Sequence, residues 1–210
     1  MDTVPPFFRP EFEEAYRFVI DHYRVPNRRI ALFLPCSVHK PYSDSPSHRR
    51  FDGVIDAVLP PSSVHRVVFG TCGVVPRELE RMYPYATYRY MLGRCPDPAV
   101  HRSFLRIETA RVAAYLEKTR DVYRYRVAYC LGEFRQAMAA ASERTGIPVT
   151  LVPDERTIDA CRDPTSRFPD GSLNTQVYLA DLAAALALQR DLMEGEGFTP
   201  PAPSPCPQSP

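Results

Sequence analysis

The chain has 210 residues, 44% of them hydrophobic, which is enough apolar material for one compact α/β domain with or without a tail. The formal net charge is +1, so bulk charge does not mark a nucleic-acid binder. No stretch approaches the roughly 18 apolar residues that a membrane helix needs, and the acidic start MDTVPPFFRPEFEEAYRF lacks the apolar core of a signal peptide. In chain order, residues 1–9 read as an irregular arm. From Pro10, PEFEEAYRFVIDHY sets Phe12, Tyr16, Phe18, Val19 and Tyr23 near helical spacing, with acids early. RRIALFL (28–34) predicts the first buried strand. RRFDGVIDAVLP (49–60) predicts a helix despite Gly53. VHRVVFG (64–70) predicts a second strand, with a sharp turn marked by Gly70 and Gly73. VPRELERMY (75–83) is expected to start a helix, with Pro76 in its first turn.

DPAVHRSFLRIETARVAAYLEKTR (97–120) predicts a long amphipathic helix capped by Asp97. YRYRVAYC (123–130) is a third strand, GEFRQAMAAASERTG (132–146) a helix closed by Gly146, IPVTLVP (147–153) a fourth strand, and NTQVYLADLAAALALQRDLM (174–193) a last helix. The Pro/Ser-rich stretch 195–210 reads as a disordered tail behind a single domain, 1–194. This alternation predicts an α/β fold on a mainly parallel sheet, whose ligands bind beyond the carboxyl ends of the strands. The loops after the first two strands, PCSVHKPYSDSPSH (35–48) and GTCGVVPRELE (70–80), then share one rim.

Six cysteines stand at 36, 72, 95, 130, 161 and 206, none spaced as C-x-x-C, so neither a zinc knuckle nor another metal centre is expected and the thiols read as free in a reducing cytoplasm. No Walker A, dinucleotide fingerprint or serine triad is present, and no cofactor is expected. Cys36 reads either as a nucleophile lowered by Lys40, His39 and His48 or as a small buried core cysteine. Lys40 is one of only two lysines, with Lys118, and Pro41 fixes where it points. His48 suits a general acid or base, or enters the following helix. Ser45 and Ser47 donate to an anion or cap that helix. Gly70 and Gly73 allow backbone amides to approach a ligand, or simply make a tight turn. Arg77, Glu78 and Glu80 are ligand contacts and ion-pair partners, or solvated charges. Cys72 is the rival nucleophile. The aromatic-basic stretches RMYPYATYRYMLGR and YRYRVAY stack bases, or half-pack their tyrosines on the domain.

Pro35-Cys36, Lys40-Pro41-Tyr42, Ser45 and His48 together form P-C-x3-K-P-Y-x2-S-x2-H. This resembles the core signature of the archaeosine synthase family, amidotransferase relatives of archaeal tRNA-guanine transglycosylase. GVVPRELERMYP (73–84) resembles that family's second block. The resemblance implies a parallel-sheet three-layer α/β/α sandwich of uracil-DNA glycosylase-like fold, in an archaeal cytoplasm. It implies a tRNA-modification amidotransferase that adds the side-chain amine of free lysine to the nitrile of 7-cyano-7-deazaguanine in tRNA. Cys36, Lys40 and His48 would be its catalytic residues, and Pro41, Tyr42, Ser45, Gly73, Arg77 and Glu78 would position substrate. Full-length family members carry a transglycosylase-like domain before this one and a PUA domain after it. A stand-alone domain would therefore rely on a separate transglycosylase-like or PUA-domain partner. Two other readings stand beside this one: a non-catalytic nucleobase- or tRNA-binding module, and, from the fold alone, a glycosylase-like base hydrolase.

Overall fold

Strand β1 (Ile30–Pro35) is the centre of a five-stranded sheet in a computed structural model that describes residues 4–166 and 168–195. Its first five residues are buried, as an uninterrupted apolar run requires of a strand covered on both faces. It pairs in parallel with β2 (Val64–Gly70) on one side and β4 (Tyr125–Tyr129) on the other, Ile30 lying opposite both Val64 and Tyr125. β5 (Thr150–Val152) adds in parallel to β4, and β3 (Gly73–Pro76) adds antiparallel to β2. The order is β3-β2-β1-β4-β5.

Successive strand side chains point to opposite faces, and each face has its own helices. Ala31 and Phe33 meet α1 (Pro10–Asp21), α3 (Pro98–Lys118) and α4 (Gly132–Thr145). Ile30, Leu32 and Leu34 meet α2 (Pro46–Val58), α5 (Glu155–Cys161) and α6 (Gln176–Gly195). The result is three layers. Helix α2 carries the chain from β1 to β2 over one face, and α4 carries it from β4 to β5 over the other. The two crossovers run in opposite directions on opposite faces and so have the same hand. The strand order thus reverses between β1 and β4, and this architecture opens a crevice at the carboxyl ends of those two strands.

The sheet is mainly parallel, as the alternation predicts, and β3 makes it mixed by running antiparallel at the edge, which the parallel-sheet sandwich implied by the resemblance did not include. One expected element is corrected. The helix expected over 75–83 is absent. Gly70 pairs with Gly73 across a two-residue turn, Val74 and Val75 continue as strand, and only Arg77–Leu79 winds, as one 3-10 turn. The β-branched pair packs better on a pleated edge than in a helix, and Pro76 fits the end of an edge strand as well as it fits a helix start. Helix α5 was not expected. Asp154 caps it by accepting from the Thr157 N–H at 2.7 Å. The first three residues and the expected tail from residue 196 on lie outside the described residues.

Phe33 is 1% exposed, and its ring meets Tyr115 of α3 edge-on at 6.1 Å. Phe33→Ala leaves a cavity in the centre of the sheet and is expected to cost about 3–5 kcal/mol in urea unfolding. Leu188→Ala, on the exposed side of α6, is expected to change stability by about 0.5 kcal/mol or less.

Candidate active site

Cys36 is the first residue past β1. Its backbone N–H donates to Phe69 O at 3.1 Å, so the sheet ladder continues to the thiol's own residue. Gly70, at the end of β2, lies against it: a Cβ there would fall 2.3 Å from Cys36 Cβ and 2.6 Å from its sulfur. The glycine at 70 is therefore needed for the volume that the thiol occupies, not for a left-handed backbone. Burial pushes the Cys36 thiol above its ordinary range; the Lys40 charge and the backbone N–H of Thr71 pull it down and do not overcome burial.

Lys40 turns back beneath this corner. Its ammonium donates to Ser37 O and sits 4.0 Å from the centre of the Tyr88 ring and 4.7 Å from that of Tyr42. Tyr42 is fully buried, its hydroxyl 2.9 Å from Tyr88 OH and 3.3 Å from Cys72 Sγ. Cys72 is thus enclosed by two phenols, its thiol pushed up to about 11 by burial, and it does not reach the cleft.

His48 is fully buried in the first turn of α2. Its Nε2 lies 2.9 Å from Pro35 O and its Nδ1 2.9 Å from Arg77 Nη1. Only one tautomer suits both partners: Nε2–H donates to the carbonyl and Nδ1 accepts from the guanidinium. Burial, and then the Arg77 charge, hold its pKa down at about 4, so the ring is neutral. Arg77 also pairs with Asp52, which meets Arg66 at 3.1 Å. Ser45 caps α2 by accepting from the His48 N–H at 3.2 Å.

The remaining expected residues are not brought together with the thiol. Gly73 takes φ +91° in the β2–β3 turn, facing Arg111 and the buried Glu108. Glu78 lies toward the amino end of β2, bonded to His65 Nε2 at 3.1 Å and Tyr23 OH at 3.0 Å. None of Lys40, Pro41, Tyr42, Ser45, Gly73, Arg77 and Glu78 lines the cleft described next; Cys36 and His48 do.

That cleft opens at the β1/β4 crevice. One lobe, about 340 Å³, lies between Cys36, Thr71, Tyr90–Gly93 and the start of α4. The adjoining lobe, about 600 Å³, extends past His48 to Asn174. Phe134, Phe168 and Met91 border both, so the walls are largely apolar. The N-cap of α4, Leu131, supplies no capping side chain, and the N–H groups of Gly132, Glu133 and Phe134 have no partner among the described residues. These are donors with the positive end of the helix dipole behind them. Thr71, Tyr90 and the α4 terminus were not singled out in the loop motifs. Of these, Thr71 lies in the second rim loop, GTCGVVPRELE, and the Tyr90–Gly93 wall in the aromatic-basic stretch, while the α4 terminus had no signal. Arg49, Arg50 and Arg94, next in sequence to residues of the cleft wall or one beyond, are exposed and lack an acidic partner among the described residues. The arrangement suits attack by sulfur on an electrophile held on apolar walls, with hydrogen-bond donors opposite.

A family described as a domain of unknown function (DUF5591) matches residues 13–161. An archaeosine synthase subunit alpha from Methanosarcina acetivorans is 32% identical over 157 residues, covering 73% of this chain and 24% of the relative. One from Thermoplasma acidophilum is 35% identical over 88 residues, 41% of this chain and 17% of the relative. An archaeosine synthase from Haloferax volcanii is 37% identical over 81 residues, 38% of this chain and 13% of the relative. The chain thus spans about a quarter or less of these proteins' length. Among solved structures, AF0587, a protein of unknown function, superposes with a TM-score of 0.53 at 18% identity, over 85% of this chain and 50% of that one. At that identity the likeness concerns the fold alone.

Two expected outcomes follow from the packing and charge at this corner. Gly70→Ala collides with Cys36 and should lower stability by about 1–3 kcal/mol. Gly53→Ala, in α2 with open space around the new methyl, should raise it by about 0.5–1 kcal/mol; urea unfolding of both variants checks the pair. His48 is harder to protonate in the folded protein, at about 4, than at its ordinary 6.5. Its contribution to stability is present above pH 6.5 and is lost as pH falls toward 4. The stability gap between wild type and His48→Gln, measured by urea unfolding, should narrow across that window.

Proposed function

The chain belongs to the DUF5591 family and, with it, to the archaeosine synthase family, and from that premise we propose that it is the nitrile-modifying domain of an archaeosine-forming tRNA amidotransferase. The observation that carries this reading is Cys36, set within the matched residues 13–161 at the carboxyl end of the central strand. Its sulfur lies on the wall of an apolar cleft, with the Lys40 charge and the Thr71 N–H beside it.

In this reading 7-cyano-7-deazaguanine, still part of tRNA, enters between the apolar walls. The sulfur of Cys36 bonds to the nitrile carbon and the nitrogen gains a proton, giving a thioimidate. The side-chain amine of free lysine then forms a C–N bond to that carbon, the C–S bond breaks, and the sulfur recovers a proton as the amidine leaves. Lys40, held between two tyrosine rings, stabilises negative charge on sulfur as it develops. His48, neutral and with both ring nitrogens engaged, positions Pro35 and Cys36 rather than exchanging a proton. Pro41, Tyr42, Ser45 and Arg77 hold the corner from behind. Exposed Arg49, Arg50 and Arg94 beside the cleft suit phosphate contacts and support tRNA as the partner. The relative's name, a subunit alpha, supports a partner protein with transglycosylase-like or PUA domains that supplies further tRNA binding. The finer fold assignment, uracil-DNA glycosylase-like, is supported by four parallel strands between two helix layers.

One observation favours a second reading. Burial keeps the Cys36 thiol protonated at rest, as suits a base-binding module without turnover. The two readings separate on nucleosides recovered from tRNA bearing 7-cyano-7-deazaguanine after incubation with the protein and lysine, with and without the partner. Mass spectrometry is expected to find a lysine adduct, reduced on the order of a thousandfold or more in Cys36→Ala. Retarded tRNA with no adduct in either mixture would instead identify the binding module.

A further inference from the structure

We infer that the hydroxyl of Thr71, a residue of the cleft wall that also carries the uncapped first turn of α4, receives the nitrile nitrogen as Cys36 adds to the carbon, which makes Thr71 a catalytic residue. The inference rests on the nitrile-addition reading above and specifies how that step is completed.

Three observations carry it. Thr71 is 1% exposed, lines the same lobe as Cys36, and its Oγ1 is buried without a hydrogen-bond partner. Native proteins rarely leave such a hydroxyl unsatisfied unless a ligand or water serves it. Second, Thr71 sits in the tight β2–β3 turn directly after Gly70, the residue packed on Cys36, and its backbone N–H reaches the Cys36 sulfur. The hydroxyl is thereby fixed relative to the thiol. Third, the alternatives nearby are less well placed: Ser37 Oγ is held as acceptor of the His39 N–H at 3.2 Å and Ser47 Oγ as acceptor of Asn174 Nδ2 at 3.3 Å, both His48 nitrogens have partners, and Tyr90, whose hydroxyl is also buried without a partner on this lobe, lacks the turn that ties Thr71 to Gly70 and the Cys36 sulfur. On the other side of the lobe, the N–H groups of Gly132, Glu133 and Phe134 offer donors to an electron-rich atom and no acidic proton.

The step balances without an outside reagent. The S–H bond breaks and the S–C bond forms, while one π pair of the C≡N bond moves to nitrogen. Thr71 passes its hydroxyl proton to that nitrogen and takes the one leaving sulfur. The hydroxyl is unchanged afterwards and the thioimidate is neutral. The α4 amides lower the energy of the charge that gathers on nitrogen in between.

The test uses the full chain and tRNA bearing 7-cyano-7-deazaguanine, with lysine withheld so that the covalent protein–tRNA species accumulates and can be counted on a denaturing gel. Filter binding gives the affinity separately. Wild type is expected to form the species and Cys36→Ala to form none. Thr71→Val, of nearly the same shape, should form it on the order of 10²–10³-fold more slowly with affinity unchanged within a few-fold, and Thr71→Ser should stay within about tenfold of wild type. If Thr71→Val does not fold, as judged by circular dichroism, Thr71→Ala takes its place and must lag Thr71→Ser by the same factor. A hydroxyl-free variant that reacts at the wild-type rate overturns the role of Thr71 and leaves the nitrile-addition reading standing. Absence of any Cys36-dependent species in wild type overturns both.

Discussion

A buried, neutral imidazole holds the junction on which the rest of the site depends. His48 donates to the last carbonyl of β1 and accepts from Arg77, which itself reaches Asp52 one turn further along α2. Asp52 also meets Arg66 on β2. The central strand, its neighbour, the helix between them and the segment after β3 thus converge on one chain of polar contacts, and Cys36 is the next residue out. The arrangement works in one protonation state only. A protonated ring would face the guanidinium with a second donor, and burial opposes the charge as well. Such networks are rigid when every member is satisfied and costly when one is removed.

The position of the cleft follows from topology, and its chemistry from a competition at one sulfur. Where crossovers diverge on opposite faces, no connection covers the carboxyl ends of the two strands between them, and a crevice is left. Cys36 and the start of α4 flank that crevice. At the thiol, desolvation raises the pKa while a lysine charge and a backbone N–H lower it, and desolvation prevails. A thiol that rests protonated is protected from adventitious oxidation and alkylation. It must then lose its proton during the reaction, so the neighbouring hydroxyl and amide donors matter more than they would beside a resting thiolate.

Much of this could be read from the residues, and the failures have identifiable causes. The run IALFLP was legible because a strand buried on both faces is continuously apolar, and VHRVVFG and YRYRVAYC because valines and aromatics suit a strand despite the charged residues among them. The long helix after Asp97 was legible from its cap and its prolyl first turn. The stretch at 75–83 misled because Pro76 followed by charged residues also describes a helix start; pairing between Gly70 and Gly73 decided otherwise, and pairing is not a local property. Tyr88 was one tyrosine among several in an aromatic-basic stretch, and nothing local told that its ring would cover Lys40 and its hydroxyl meet Cys72.

The sequence by itself determined the fold class, most of the elements in order, and the two loops that meet on one rim, because hydrophobic period and end signals are written within each segment. It also offered Cys36, Lys40 and His48 as reactive groups at a strand end, which the resemblance to the family signature joined into one set. Only the tertiary structure decided which of these face the cleft. Lys40 is drawn back onto two aromatic rings, His48 is locked between Pro35 and Arg77, and Thr71, an unremarked member of the second rim loop, stands on the cleft wall with the bare start of α4. The physical reason is that hydrogen bonding, desolvation and shared volume act between residues distant in the chain, as Gly70 and Cys36 do, 34 positions apart and in direct contact.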